Sequence, residues 1–586
     1  MTFLSIPPPP LCWPWACPPR QPSPDASMRQ GRPRDGRGNR RKLTAYYRPM
    51  PSGGAGLTPA ALASPARRCE FPGRQCEGSM TVERKPVAYG DARAWIAALK
   101  AAGEVQQIDA EVDWNIELGT IARMLQGPAT GPAVMFNNIK DYNGPSSRCR
   151  KVFTGALSSY RRIAMMMGLP RETHPRELVR LGRTILTGSI PPVVVETGPC
   201  KENILTGDAI DLYEFPAPYW NRLDGGRYLM TYGGCVTKDP ETGIMNVGVY
   251  RGMIHDKTRI PILMWRAQHI GHHVTAWQNG GASEVPIAVA IGVDPALEFV
   301  GGAPVPKGIC EYDVAGSIRG APMELVKCET VDLHVPANSE IVIEGMLQID
   351  PANYLPEGPF AEFTGYLAGD PAPKPAIRVT AITHRNNPIL RGTIEGAVPG
   401  SYSENTVTSS IMRAATAWNV LDRAGVPGIT DVWCQPVQAG INLLIQMKQS
   451  YRNQAKQAAN AIWGSSAAHV RYKHITVVDD DIDIHDYAAV DWAIAYRVNA
   501  GENDVIIMPS TFGLGLDPSV RKRDRNPTLF GTGKWNRVLI DATMNLDYDP
   551  DPDFGGARYP PTVRPTKEDE AAVLARWEEL GLGERK

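Results

Sequence analysis

The segment Leu355-Pro-Glu-Gly-Pro-Phe-Ala-Glu-Phe363 sets two carboxylates, Glu357 and Glu362, five residues apart in a run rich in proline and glycine. On a helix that spacing places the side chains roughly 140° apart, and on a strand it sends them to opposite faces. They converge only if the backbone bends between them, and Pro356, Gly358 and Pro359 are the residues to bend it. Two carboxylates held close cannot both ionise freely, so one is pushed towards donating a proton near neutral pH. A solvated Pro-Gly surface loop is the competing account of this fragment taken alone.

Upstream lie Asn246-Val-Gly-Val-Tyr-Arg251, then His269 and Glu311. Singly, Asn246, His269 and Glu311 are ordinary buried polar groups. Together an amide oxygen, an imidazole and a carboxylate suit Mn²⁺ or Mg²⁺ better than a soft-ligand metal. His269 and His273 have the spacing of two zinc ligands on a helix, but no glutamate follows the first histidine and Gly271 weakens the helix, so a zinc hydrolase is set aside. Asp479 to Asp483 invites a calcium-loop assignment, yet Ile484 and Val490 stand where glycine and glutamate are needed. That stretch is expected to be an acidic strand end and turn. Arg251 follows in strand-like sequence and taken alone is a surface cation.

Taken together, Asn246 to Arg251, Ala267-Gln-His-Ile270, Gly301-Gly-Ala-Pro304, Glu311, Met323 to Cys328 and Pro356 to Glu362 resemble the UbiD family of reversible decarboxylases, which use prenylated FMN. The likeness runs from about Val82 to about Glu579. It implies a non-oxidative carboxy-lyase acting on an aromatic or α,β-unsaturated carboxylic acid and releasing CO₂. Loss of CO₂ from an sp² carbon needs an electron sink that no side chain provides, and a cofactor supplies it. The resemblance assigns Asn246, His269 and Glu311 to a divalent ion such as Mn²⁺ that clamps the cofactor phosphate, and admits K⁺ as a further ion. It assigns Gly248, Val249, Arg251, Gln268, Gly301, Gly302, Ala303 and Pro304 to cofactor contacts. Arg251 would meet the substrate carboxylate, Glu362 would deliver the proton and Glu357 would hold Arg251.

Two departures from the family pattern stand out. Serines are frequent in the family where Gly301 and Gly302 stand, so those contacts fall to backbone. No lysine matches the one that holds cofactor phosphate in some members; Ser465 and Ser466 lie nearest its place. A flavin prenyltransferase is the implied cofactor supplier. Two other functions stay open: a flavin oxidoreductase on the same barrel, which would oxidise NAD(P)H without CO₂ change, and a cofactor-free subunit of a larger carboxylase.

The elements that must position these residues fall into blocks. Residues 1–79 carry Pro7 to Pro10 and an arginine run from Arg29 to Arg41 with almost no apolar periodicity, and are expected to be disordered. Prolines break every candidate signal-peptide core there. Met80 is the expected true start, with an arginine-rich transit peptide or nucleic-acid arm as the alternative; the intact mass of natively expressed protein decides. Residues 80–200 read as an α/β region, with Trp95, Ile96 and Leu99 on one helix face capped by Asp91 and an edge strand at Pro191 to Val195. Residues 201–400 are strand-rich, including Glu340 to Glu344 and Ile377 to Thr383, and the resemblance implies a split β-barrel like that of flavin reductases. Residues 401–423 form a linking helix. Residues 424–586 alternate strand and helix, predicting a small parallel α/β domain.

The fold class is therefore mixed α/β. Net charge is zero, so nothing in the overall charge favours nucleic acid or an anionic membrane. The longest clean apolar run, Val285 to Val293, is far below the ~20 residues of a membrane helix. The ten cysteines are dispersed, with no Cys-x-x-Cys pair, which predicts reduced thiols and a cytoplasmic setting. The family resemblance, with Phe530, Trp535 and Trp577, predicts a homodimer or larger homo-oligomer built through the last region.

Overall fold

The computed structural model describes residues 83–583 apart from 128, 306, 307, 469, 503 and 526–531. Residues 1–79, Met80 and Phe530 therefore lie outside the described residues. The helix Ala92–Ala101 starts at Asp91, whose carboxylate accepts from Ala94 N at 2.7 Å, and it buries Trp95, Ile96 and Leu99 as expected. Its neighbouring sheet runs Val105–Ile108, Ala133–Phe136, Lys151–Thr154, Ile389–Arg391. The last strand comes from far along the chain and pairs in parallel with Lys151–Thr154, tying the N-terminal region to the middle one.

The central sheet has seven strands. Its path runs Arg259–Pro261, Ala376–His384, Ile341–Gln348, Glu284–Ile291, Gly234–Lys238, Met245–Val249, with Asn203–Thr206 also paired to Ala376–His384. All these pairings are antiparallel. Among the described residues no ladder joins the two ends of that path. Its faces are lined by Val236, Val247, Ala288 and Ala290 on one side and by Val285, Ile287, Val289 and Ile343 on the other, which belong to two different apolar cores. That alternation is what a sheet packed on both faces requires. Val193–Val194 forms the expected edge strand, of a separate three-stranded sheet.

The linking helix, Glu404–Arg423, is capped by Ser403, whose hydroxyl accepts from Thr406 N at 3.3 Å. The C-terminal sheet is ordered Ile429–Trp433, Asn442–Met447, His474–Asp479, Thr532–Ala542, Val505–Leu514. Only the inner three strands are parallel; both outer ones run antiparallel to their neighbours. The expectation of a parallel sheet is corrected here. The inner strands are joined through the helices Gln454–Trp463 and Tyr487–Arg497, whereas each outer strand meets its neighbour with no intervening α-helix. A parallel crossover requires such a connection. The Asp479–Asp483 stretch is a strand end and turn, with Arg497 bonded to Asp481 at 2.6 and 2.9 Å. No helix among the described residues is long and apolar enough to cross a membrane.

Candidate active site

Asn246 lies in the strand Met245–Val249, and Arg251 follows two residues after its end. His269 and Glu311 are the first residues of the helices His269–Asn279 and Glu311–Arg319. Both helices thus present their N-terminal ends, with free N–H groups and partial positive charge, to one place. There Asn246 Nδ2 donates to Glu311 Oε1 at 2.7 Å and lies 3.2 Å from His269 Nδ1, while Val247 N donates to Glu311 Oε2 at 2.7 Å. His269 Nδ1 is 3.8 Å from Glu311 Oε1. Three side chains dispersed in sequence therefore meet.

The set fits a hard cation. Among the described residues no group of three or more His, Cys, Asp or Glu could hold a metal, so this set reaches three donors only if the Asn246 amide is one of them. Asn246 Oδ1 is buried with no hydrogen-bond partner. Turning the amide over would bring that oxygen to an imidazole nitrogen and a carboxylate, three electron-rich atoms that a cation holds together. His273, by contrast, meets Thr237 Oγ1 at 2.9 Å.

The Glu357–Glu362 segment bends as predicted. Gly358 has φ of 91°, a left-handed conformation that favours glycine, and the Gly358–Pro359 peptide is cis. The loop is pinned from outside: Gly225 N donates to Pro359 O at 2.7 Å and Ala361 N to Asp224 Oδ1 at 3.0 Å. Both carboxylates then meet Arg251. Its Nε and Nη2 donate to the two Glu357 oxygens at 2.8 and 3.0 Å, and its Nη1 donates to Glu362 Oε1. Tyr228 OH donates to Glu357 at 2.9 Å, and the Phe360 ring lies 5.0 Å from the Arg251 guanidinium carbon.

Burial pushes the Glu362 carboxyl above its ordinary value, and the neighbouring Glu357 charge adds to the rise, although Arg251 opposes it. Burial alone would lower Arg251, but the Glu362 and Glu357 charges outweigh it and raise its pKa.

A cleft of about 700 Å³ joins the two clusters. Its wall includes Asn246, Gly248, Val249, Arg251, Gln268, His269, Gly301, Gly302, Ala303, Pro304, Glu311 and Glu362. Glu357 is the one predicted site residue that is not in this wall; it stands behind Arg251, 2% exposed. Ser466 also reaches the cleft, whereas the Ser465 hydroxyl turns to Ile462 O at 2.7 Å.

Among the wall residues that the sequence analysis missed, three charged ones are buried or half-buried. Glu395 is buried, and its Oε2 accepts from Gly396 N at 3.3 Å and Ser403 Oγ at 3.2 Å. Burial, reinforced by the Glu362 charge, pushes its carboxyl up to about 7. Arg413 and Arg471 come from the linking helix and from beyond it. No motif spacing connects these three, and only the folded chain brings them together.

Comparison with known proteins agrees with this architecture. Residues 96–181, 193–398 and 406–542 match the profiles described as the N-terminal, Rift-related and C-terminal domains of 3-octaprenyl-4-hydroxybenzoate carboxy-lyase, UbiD. Pyrrole-2-carboxylic acid decarboxylase of Pseudomonas aeruginosa is 30% identical over 84% of this chain and 99% of its own. Vanillic acid decarboxylase of Sedimentibacter hydroxybenzoicus, in closed form, superposes with a TM-score of 0.73 at 28% identity, over 84% of this chain and 99% of that one. The UbiD-class enzyme HmfF from Pelotomaculum thermopropionicum, solved with FMN, gives a TM-score of 0.69 at 29% identity over 83% and 100%. An evolved dimeric form of HmfF, solved with prFMN, gives 0.66 at 28% identity over 78% and 96%. The chain belongs to the UbiD family of carboxy-lyases.

Proposed function

We propose that this protein is a reversible, non-oxidative decarboxylase of an aromatic or α,β-unsaturated carboxylic acid, dependent on prenylated FMN and a divalent ion such as Mn²⁺. The observation that carries this is the cleft itself: a hard-donor cluster in one part of its wall and Arg251 with Glu362 in another. Asn246, His269 and Glu311 would hold the ion, beside two helix N-termini suited to an anionic phosphate. Gly248, Val249, Gln268 and Gly301 to Pro304 would line the cofactor. Prenylated FMN, when bound, supplies the covalent electron sink that the reaction requires.

The chain's own residues do the rest. Glu357 and Tyr228 fix the Arg251 plane from behind, leaving its Nη1 edge towards Glu362 and the cleft. That edge orients the substrate carboxylate, a task suited to a planar, permanently charged donor. Glu362, its pKa raised by burial, holds a proton and delivers it to the carbon that CO₂ leaves. In the carboxylation direction it takes the proton back.

The test uses full-length protein made with and without a flavin prenyltransferase, screened with aromatic and unsaturated acids for CO₂ release and solvent-deuterium exchange. Flavin-loaded protein that exchanges no acid but oxidises NAD(P)H would point to an oxidoreductase, and colourless protein from both preparations to a cofactor-free subunit. Glu311→Ala should lose metal and flavin before it loses its fold, because it removes the formal negative charge from the donor set. Metal analysis and the flavin absorbance of the purified variant check this, and full flavin retention would refute it.

A homodimer or larger homo-oligomer in the cytoplasm is part of the same proposal, with light scattering as its check. One of its original supports falls away: Trp535 is 1% exposed and its Nε1 donates to Asp517 at 2.9 Å, so it packs within its own domain. Trp577 is half-buried and bonds Gly583 O at 2.9 Å.

A further inference from the structure

Two of the guanidinium groups in the cleft wall, those of Arg413 and Arg471, are drawn inward with no carboxylate partner among the described residues. Arg471 is 9% exposed; its Nη1 donates to Val470 O at 2.8 Å, and its guanidinium lies 4.7 Å from the Phe363 ring centroid. Arg413 is half-buried, and its side chain makes no hydrogen bond or ion pair with any described residue. The Nε atoms of both are buried without a partner. Gly440, at φ +77°, opens the slot for Arg413: a Cβ there would stand 2.3 Å from Arg413 Cδ.

The two cations act on each other. After burial, Arg413 is the largest influence opposing the charge of Arg471, and both act on the same thiol, Cys434. The carboxylate that acts most on Arg471, Glu362, is already bonded to Arg251. Arginine does not shed its proton in proteins. Two adjacent, desolvated and unneutralised charges are costly in an interior. A fold that keeps them beside a ligand-sized cleft has a use for an anion there.

We propose that Arg413 and Arg471 form an anion site that receives an oxyanion group of the bound ligand, either the phosphate monoester of the flavin or a second carboxylate on the substrate. The proposal deepens the functional reading above and rests on its cleft being the ligand site.

The experiment uses the full chain purified without flavin, as wild type, Arg471→Gln, and Arg413→Gln/Arg471→Gln. Inorganic phosphate is expected to raise the wild-type Tm clearly more than that of the double variant, which keeps only the helix N-termini. The ligand-free variants should melt no lower than wild type, because each substitution removes an unpaired charge; a purely structural arginine would give the reverse.

Fluorescence titration with FMN and riboflavin then reads the cofactor arm. Loss of roughly ten-fold or more in FMN affinity with riboflavin unchanged assigns the site to the phosphate. If the FMN preference persists, flavin-loaded protein is titrated with benzoate and with benzene-1,4-dicarboxylate, and a similar selective loss for the dicarboxylate assigns it to the substrate. Unchanged ratios in both arms, or phosphate stabilising the double variant as it does wild type, would overturn the proposal. Wild type that responds to phosphate but binds no flavin would instead defeat the functional reading and leave the anion site standing.

Discussion

Arg251 is half-buried and Arg391 fully buried, and each sits between two glutamates: Glu357 and Glu362 in one case, Glu298 and Glu404 in the other. Arg391 bonds Glu404 at 2.6 and 2.9 Å and Glu298 at 3.1 and 3.2 Å. Glu404 in turn accepts from Gly155 N at 2.9 Å and Leu157 N at 2.6 Å. This triad clamps the linking helix to the N-terminal and central regions, and its members stand outside the cleft wall. Each triad holds a carboxyl raised by burial: Glu362 in one, and Glu298, pushed up to about 7, in the other. A shifted pKa therefore does not separate chemistry from architecture. Access does: only the Arg251 triad opens an arginine edge and a carboxyl onto a cavity.

The sharpest way to break the comparison is to remove each arginine's or acid's function in turn. Arg391→Ala leaves two buried carboxylates facing each other and should destabilise the fold by about 3–5 kcal/mol, or prevent soluble expression. Urea unfolding of the purified variant checks this, and a wild-type midpoint would mean the clamp is idle. Glu362→Gln should do the opposite. It keeps the shape and one acceptor, so fold and flavin spectrum persist, but a carboxamide has no acidic proton to give. Decarboxylation and solvent exchange should fall ~10²–10⁴-fold. Near-wild-type exchange by a fully flavin-loaded variant would place the proton elsewhere.

The difference between the triads also explains what could be read from sequence. Glu357 and Glu362 were legible because a Pro-Gly bend between two acids leaves few other geometries, and Gly358 adopts the required φ. The helices and strands were legible where periodicity is local, as in the Asp91-capped helix and the linking helix. The Arg391 clamp was not, since Glu298, Arg391 and Glu404 carry no motif and their pairing is purely tertiary. Glu395, Arg413 and Arg471 were hidden for the same reason. The outer strands of the C-terminal sheet were mistaken because strand direction depends on the connection, which hydrophobic pattern does not record.

Within the Arg251 triad, the two glutamates should also separate. Glu357 is 2% exposed behind Arg251 and in the proposed role orients it, held in turn by Tyr228. Glu357→Gln retains one acceptor for the arginine, so turnover should fall by roughly ten-fold, less than for Glu362→Gln. The kinetic signature is a shift in the pH–rate profile, because losing the Glu357 charge lets Glu362 ionise more readily. Equal losses in the two variants with identical pH profiles would collapse the distinction between holder and donor.

The smallest expected effect is a slope. Glu395 in the cleft wall and Glu298 in the sealed triad are both pushed up to about 7 from an ordinary 4.5, burial being the first cause in each. A raised carboxyl keeps its proton in the folded protein while the unfolded chain has already shed it. Its contribution is thus fully present below about 4.5 and is lost as pH rises towards about 7. Glu395→Gln should melt like wild type at the acidic end of that window and above it at the alkaline end, where wild type must hold a reluctant charge. Glu298→Gln should flatten the curve in the same direction but at the cost of a bond to Arg391. The two differ when the cleft is filled. Bound flavin should change the pH dependence that Glu395 contributes, because the ligand displaces water and adds charge beside it, and should leave the Glu298 part untouched. Thermal melts across pH, with and without flavin, read both. Parallel curves for wild type and Glu395→Gln would show that this carboxyl titrates as freely in the fold as out of it, and access to the cleft would then distinguish only Glu362.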